Sequence, residues 1–145
     1  MKTFSFCAAL ALALMPVASH AEADLSTYRA FGEKPGLVSL MDAFMVNLLA
    51  DGRTRPFFEH ADQTRIKAQL VDQICAVLDG PCTYQGAPMG PLHAGLGIQQ
   101  GHFNALVEDL QQAMDAQGVP FRAQNKLLAR LAREYQAARQ RLLAA

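Results

Sequence analysis

The sequence has no excess of charge of either sign, and charged residues are few. Its 13 Lys and Arg residues balance 13 Asp and Glu residues, which gives a formal net charge of zero at pH 7. Without a field that attracts polyanions, the chain is not expected to bind nucleic acid in a general way. Charged residues make up 18% of the 145 residues and hydrophobic residues 51%, which excludes a disordered chain. The length is too short for two ordinary domains, so we expect one globular domain.

Cysteine is also scarce, with Cys7, Cys75 and Cys82 as its three occurrences. No CxxCH motif is present, which excludes a covalently attached c-type haem. Cys75 and Cys82 could pair in an oxidising compartment. Because they are close in sequence, we favour the interpretation in which Cys75 is a small core residue and Cys82 lies in a turn, with the disulfide as the alternative.

The first 21 residues have the pattern of a secretory signal peptide. Lys2 gives a short positive start, Phe4 to Val17 is almost wholly apolar, and Ser19-His20-Ala21 fits the small-x-small rule for cleavage. The apolar stretch is too short for a permanent transmembrane anchor. We therefore predict a signal peptide over residues 1–21, a mature domain over residues 22–145 and export to the periplasm, with no membrane attachment after cleavage.

Helical periodicity dominates the remainder of the chain, and no strand-like alternation is found. Apolar residues recur at spacings of three and four along four segments, which predicts four main helices and an all-α fold. The stretch Cys82–Gly101 holds five glycines and predicts a long break with at most one short helix near Pro91 and His93. The predicted helices begin near Leu37, Asp62, Phe103 and Arg122 and end near Gly52, Asp79, Gly118 and Leu143, with a turn cluster over 31–36.

The mature region contains three histidines, His60, His93 and His102. No pair has the HxxxH or HExxH spacing of a zinc site, and no Ser-His-Asp or Cys-His constellation follows from the spacing. His93 belongs to the short helix in the glycine-rich break and has apolar neighbours. A single imidazole in this setting suits one axial ligand of a haem iron, and a core or surface histidine is the alternative interpretation.

From Tyr28 to about Leu131 the sequence resembles the group I truncated haemoglobins. The resemblance rests on the order and spacing of several short stretches, each of which is weak alone. These stretches are Tyr28-Arg29-Ala30-Phe31-Gly32, Phe44-Met45-Val46-Asn47-Leu48-Leu49-Ala50-Asp51, Pro56-Phe57-Phe58, Leu78-Asp79-Gly80-Pro81, Tyr84-Gln85-Gly86-Ala87-Pro88-Met89, Leu92-His93-Ala94-Gly95-Leu96-Gly97-Ile98 and His102-Phe103.

This resemblance implies a truncated globin fold, which is a two-over-two helical sandwich, with haem b (iron protoporphyrin IX) as the cofactor. It implies that His93 is the proximal iron ligand and that Phe58 packs against the haem face. Lys67 and Tyr84 match positions that often reach the haem propionates, where a cation and a phenol make charge-assisted hydrogen bonds. The proximal wall is expected to include Ile98 and Phe103.

The sequence departs from the family pattern on the distal side. Where the family usually has a tyrosine and a glutamine that donate hydrogen bonds to dioxygen, this chain has Met45 and Leu70, with Ile66 at the usual gate. None of these side chains can donate a hydrogen bond. Each lost donor is expected to weaken oxygen binding by about 1–3 kcal/mol, although Gln69 or Gln73 could swing in and soften this effect. Met45 is interpreted as pocket lining, and ligation of the iron by its thioether is the alternative.

These features favour a haem-binding globin that reversibly binds a diatomic gas (O2, CO or NO) at a pentacoordinate or Met-ligated iron. The alternatives are a haem enzyme, either an NO dioxygenase or peroxidase-like, a His–Met electron-transfer globin, and a helical interaction module without cofactor. An enzyme is less favoured because Met45 and Leu70 do not support a long-lived oxygen complex. We expect a monomer or weak dimer, and the sequence does not identify a redox partner.

Overall fold

The computed structural model describes residues 25–93 and 95–143, and every regular element in these ranges is helical. This confirms the all-α prediction. The signal peptide predicted over residues 1–21 lies outside the described residues. Within them, no helix combines the length and apolar character needed to cross a membrane. The elements are α1 Ser26–Ala30, α2 Glu33–Ala50, a 3-10 turn Arg55–Phe57, α3 Gln63–Val77, α4 Met89–His93, α5 Gln100–Ala116 and α6 Phe121–Leu143.

Helix α2 occupies the centre of the arrangement. It packs against α3 and against α5, while α6 contacts α3, α4 and α5. The α2–α3 pair and the α5–α6 pair form two layers, which is the predicted two-over-two helical sandwich. Short helix α1 closes one end by contacting both α2 and α6.

The core explains why α2 is central. Its buried apolar side chains recur at spacings of three and four, so they form one continuous face along the helix. Burying a leucine or phenylalanine side chain stabilises the fold by about 1.5–3 kcal/mol. The buried side chains of α2 are Leu37, Leu40, Met41, Phe44, Met45 and Leu48, and they share one cluster with Ile74, Leu78, Leu110, Met114 and Leu127.

Helix α2 begins earlier than predicted, at Glu33. Pro35 is tolerated in its first turn because the amide protons of that turn have no partner within the helix. A Cβ at Gly36 would lie 1.9 Å from the carbonyl oxygen of Phe31, so this glycine allows the close crossing of α1 and α2. The turn cluster predicted over 31–36 is therefore wrong from Glu33 onward, where the chain is already helical.

Cys75 and Cys82 form a disulfide, with their Cα atoms 5.8 Å apart. The favoured interpretation of two unpaired cysteines is therefore wrong. Helix α3 ends at Val77, and the chain turns back at once, so that the Gly80 amide donates to the carbonyl of Cys75 at 2.8 Å. A Cβ at Gly80 would lie 2.8 Å from the Cys75 Sγ. This tight reversal brings Cys82 back beside the last turn of α3, which the apolar spacing does not reveal.

Reduction of this disulfide should lower the free energy of unfolding by about 2 kcal/mol, because cross-linking a short loop restricts the unfolded chain. Denaturant unfolding with and without a thiol reductant measures the loss. A variant with Cys75→Ala and Cys82→Ser serves as the control, since it should lose similar stability and show no response to reductant. Equal stability of the oxidised and reduced wild-type protein would contradict the expectation.

Asp109 is a buried acid on α5, with 3% of its surface exposed. The hydroxyl of Thr54 lies 2.8 Å from the carbonyl oxygen of Leu48 and 3.1 Å from the Oδ2 of Asp109. A hydroxyl has one proton to donate, so both contacts are hydrogen bonds only when the Asp109 carboxyl is itself protonated. Burial raises the pKa of this carboxyl above its usual range, and the contact with the Thr54 hydroxyl offsets part of that rise.

The stability that Asp109 contributes should be greatest at low pH. Because its pKa is raised in the folded state, this contribution is complete below the unfolded-state pKa and is lost as the pH rises through the folded-state pKa. In Asp109→Asn the amide can donate to Thr54 at any pH, so the variant should gain stability relative to wild type as the pH rises. Unfolding curves across pH test this, with Glu33→Gln, an exposed acid at the start of α2, as the control. Parallel curves for wild type and Asp109→Asn would refute it.

Candidate functional site

His93 lies at the end of the short helix α4, inside the glycine-rich segment. Its Nδ1 is 2.7 Å from the carbonyl oxygen of Met89, one turn earlier. Because a carbonyl can only accept, Nδ1 carries the ring proton and the lone pair lies on Nε2. The side chain is exposed. A metal-ligating imidazole needs this arrangement, in which one ring nitrogen is held by a hydrogen bond and the other is presented.

The break predicted around α4 is confirmed. Residues 79–88 and 95–99 have no regular helix, and α4 separates them as a single turn that packs against α6. The long last helix therefore holds α4 in place while the flanking segments stay irregular. The predicted position of the short helix, near Pro91 and His93, agrees with its bounds, Met89–His93.

One face of α3 carries Ile66, Leu70, Gln73 and Val77, which we call the α3 stripe. Their spacings of four, three and four place them on the same side of the helix. Ile66 and Leu70 are half-buried and pack against the core. Gln73 is 9% exposed, and its Nε2 donates to the Oε2 of Glu134 on α6 at 3.3 Å. The stripe is therefore apolar except at Gln73, which meets α6.

The other predicted apolar residues lie on several elements. Phe58 follows the 3-10 turn and packs, half-buried, against the same core as the α3 stripe. Met45 is a member of that core, with 4% of its surface exposed. Phe103, near the start of α5, stacks on Tyr135 of α6 with ring centroids 4.2 Å apart. Ile98 is half-buried in the segment before α5.

The two predicted polar anchors each have a partner within the protein. The Lys67 Nζ lies 2.6 Å from the Oδ1 of Asp42 on α2. The Tyr84 hydroxyl donates to the carbonyl oxygen of Ala87 at 3.0 Å. Burial raises the pKa of that hydroxyl, and the negative charge of Glu134 raises it further. Tyr84 therefore lies near Glu134, the partner of Gln73, while Lys67 is paired with Asp42 of α2.

The remaining histidines have other surroundings. His102 Nδ1 accepts a hydrogen bond from the Gln99 amide at 3.1 Å at the start of α5, and its ring meets Phe57 edge-on with centroids 5.0 Å apart. His102 therefore acts as a structural histidine at the start of α5. His60 has 90% of its side chain exposed and lies 3.5 Å from the Glu59 carboxylate, as expected of a solvated loop residue.

Sequence reasoning missed the contact between Gln73 and Glu134. The helical spacing on α3 places Gln73 on the same face as Ile66 and Leu70. Because Gln73 is polar, a pattern of apolar residues does not include it. Glu134 lies on α6, 61 residues further along the chain. A single sequence contains no pattern that predicts its hydrogen bond with Gln73.

Comparison with known proteins identifies the family. Residues 26–140 match the family model described as bacterial-like globin. The chain belongs to this globin family. It is 35% identical over 107 residues to the group 1 truncated haemoglobin GlbN of Mycolicibacterium paratuberculosis, covering 74% of this chain and 79% of that protein. It is 33% identical over 92 residues to GlbN of Nostoc sp., covering 63% and 78%.

The fold of this globin is also similar to solved structures. The crystal structure of truncated haemoglobin from Tetrahymena pyriformis in its Fe(III) form matches with a TM-score of 0.71 and 27% identity, covering 74% of this chain and 92% of that one. The resemblance to group I truncated haemoglobins and the truncated globin fold are therefore confirmed.

A globin of this family binds haem, and the residues of this site fit that group. Haem needs an axial nitrogen ligand and apolar surfaces for its two faces. His93 presents Nε2 with its lone pair, as the hydrogen bond from Nδ1 to Met89 requires. Phe58, Ile66 and Leu70 supply apolar side chains that the core leaves half-exposed.

Proposed function

We propose that this globin holds haem b through the Nε2 of His93 and reversibly binds a diatomic gas on the opposite side. The hydrogen bond from His93 Nδ1 to the Met89 carbonyl carries the proposal, because it fixes the tautomer that can ligate iron. When bound, the haem iron supplies the reversible binding of O2, CO or NO. The protein supplies the ligand, the orientation of the ring and an apolar enclosure.

The ligand side of the proposed pocket is formed by Met45, Ile66 and Leu70. These side chains exclude water, but they cannot donate a hydrogen bond. Dioxygen in this pocket is therefore expected to leave quickly, while carbon monoxide and nitric oxide, which depend less on donors, are retained better. The proposal is a gas-binding globin with weak discrimination in favour of oxygen.

A pentacoordinate iron is the coordination state that we favour. Met45 is 4% exposed and belongs to the main core cluster, which supports a packing role for its side chain. Ligation by the Met45 thioether would give a low-spin spectrum in the ligand-free ferric protein. Loss of that spectrum in Met45→Leu would establish the His–Met alternative.

We propose Lys67 and Tyr84 as the partners of the haem propionates, and Ile98 and Phe103 as part of the proximal wall. The Lys67 side chain is 33% exposed, so its ammonium group can exchange Asp42 for a second carboxylate at small cost. The sequence pattern of residues 1–21 supports a periplasmic location after cleavage. The balanced charge supports a protein that does not bind nucleic acid. We propose a monomer or weak dimer.

An optical spectrum of the purified mature protein, recorded with and without dithionite and carbon monoxide, tests the proposal. We expect a Soret band that shifts on reduction and again on addition of carbon monoxide. A colourless protein from haem-replete cells that also fails to take up added haem would contradict it and favour a helical interaction module.

A further inference from the structure

Gln73 is the polar side chain on the face of α3 that carries Ile66 and Leu70. It follows Leu70 by three residues and Ile66 by seven, so it lies on the same side of the helix, about one turn beyond the proposed ligand side. Its side chain is 9% exposed. An amide buried to this extent is costly unless it is hydrogen-bonded, so its partner matters.

That partner is Glu134 of α6, whose Oε2 accepts from the Gln73 Nε2 at 3.3 Å. The amide nitrogen carries two protons, and this contact uses one of them. The carboxylate therefore orients the amide and leaves its second N–H able to donate elsewhere. A charged acceptor also polarises the amide, which strengthens the second N–H as a donor.

The backbone around this pair is held by a second contact between α3 and α6. Arg130, one turn before Glu134, donates to the carbonyl oxygen of Val77 and, at 2.8 Å, to the carboxylate of Asp79. These contacts fix the end of α3 against α6. The Gln73 amide is therefore positioned by helix packing as well as by its own hydrogen bond.

We propose that Gln73 is the hydrogen-bond donor of the ligand pocket, and that Glu134 is its positioning residue. This inference rests on the proposed function and deepens it, because it assigns the donor that Met45 and Leu70 do not supply. Such a donor favours a ligand that accepts a hydrogen bond, such as dioxygen, over carbon monoxide. The pocket is then less permissive of rapid oxygen loss than its apolar residues alone suggest.

Gln73→Leu in the haem-loaded mature protein tests the inference. We expect oxygen dissociation to become about tenfold faster, the value for the loss of one hydrogen bond in a dry pocket, with carbon monoxide dissociation little changed. The C–O stretching frequency of the carbon monoxide form should rise, because a positive N–H no longer faces the ligand. Glu134→Leu should shift both readouts in the same direction by a smaller amount, and Glu134→Gln, which keeps an acceptor oxygen, should restore them.

Gln112→Leu, on the exposed side of α5, is the matched control and should leave both readouts unchanged. Gln69 lines a cavity with Ile66 and Ala87, so Gln69→Leu tests the other glutamine that could donate to the ligand, and it should have the smaller effect. Unchanged readouts in Gln73→Leu, a larger effect from Gln69→Leu, or a loss of apoprotein stability without change in dissociation or stretching frequency would each overturn the inference. A wild-type protein without a haem spectrum would instead overturn the proposed function, and this inference with it.

Discussion

Replacing His93 with glycine should abolish tight haem binding, so that the purified protein has no Soret band or only a weak one. The substitution removes the Nε2 lone pair that the Met89 hydrogen bond presents, and apolar contacts alone do not fix the iron. Free imidazole added to this variant should occupy the space of the missing ring and restore a haem spectrum. Titration of the apoprotein with haem, with and without imidazole, measures both effects.

His60→Gly provides the matched control for this experiment, because the His60 side chain is 90% exposed. It should bind haem as the wild type does. Since α4 is a single helical turn, circular dichroism of the haem-free proteins shows whether the His93 variant keeps its helix content. A His93→Gly protein with an unaltered Soret band would remove the basis of the proposed function.

The long helices of the fold were predictable from the sequence because one local rule, the spacing of apolar residues, governs them. Apolar spacing placed the long helices because burial of one helical face dominates their stability. The rule failed where the chain makes a close approach. Gly36 looks like a helix breaker in a single sequence, but in the fold it lies inside α2 and allows a helix crossing. Gly80 does follow the end of α3, but the reversal that it allows is not visible in the apolar spacing. The disulfide between Cys75 and Cys82 depends on that reversal.

The candidate site residues could be named from the sequence only through the family resemblance. A lone imidazole is more often a core or surface residue, so His93 was assigned as the axial ligand by its place in the family pattern. The structure adds the hydrogen bond from its Nδ1 to the Met89 carbonyl. Pairings between distant segments were not predictable. The bonds from Lys67 to Asp42 and from Gln73 to Glu134 join helices that only the tertiary fold brings together, and no short-range pattern encodes them.

Whether the proposed pocket releases oxygen quickly or slowly depends on which of its side chains donate a hydrogen bond. The identity of Met45 and Leu70 excludes donors on the faces nearest the proposed ligand position. In our proposal Gln73, which donates to Glu134, is the one donor and comes from the next turn of α3. Adding donors at the first two positions should therefore still slow oxygen release, because the single proposed donor leaves most of the ligand surroundings apolar.

The double variant Met45→Tyr with Leu70→Gln should slow oxygen dissociation by at least about tenfold, since each new hydrogen bond contributes about 1–3 kcal/mol in a pocket that excludes water. Stopped-flow displacement of oxygen by carbon monoxide gives the rate. Because Met45 is 4% exposed, the tyrosine also adds volume and a hydroxyl to a packed region, and the melting temperature should fall by several degrees. Met45→Leu with Leu70→Met is the volume-matched control and should leave the oxygen rate near that of wild type. An unchanged rate in the folded, haem-loaded double variant would show that Met45 and Leu70 do not face the ligand.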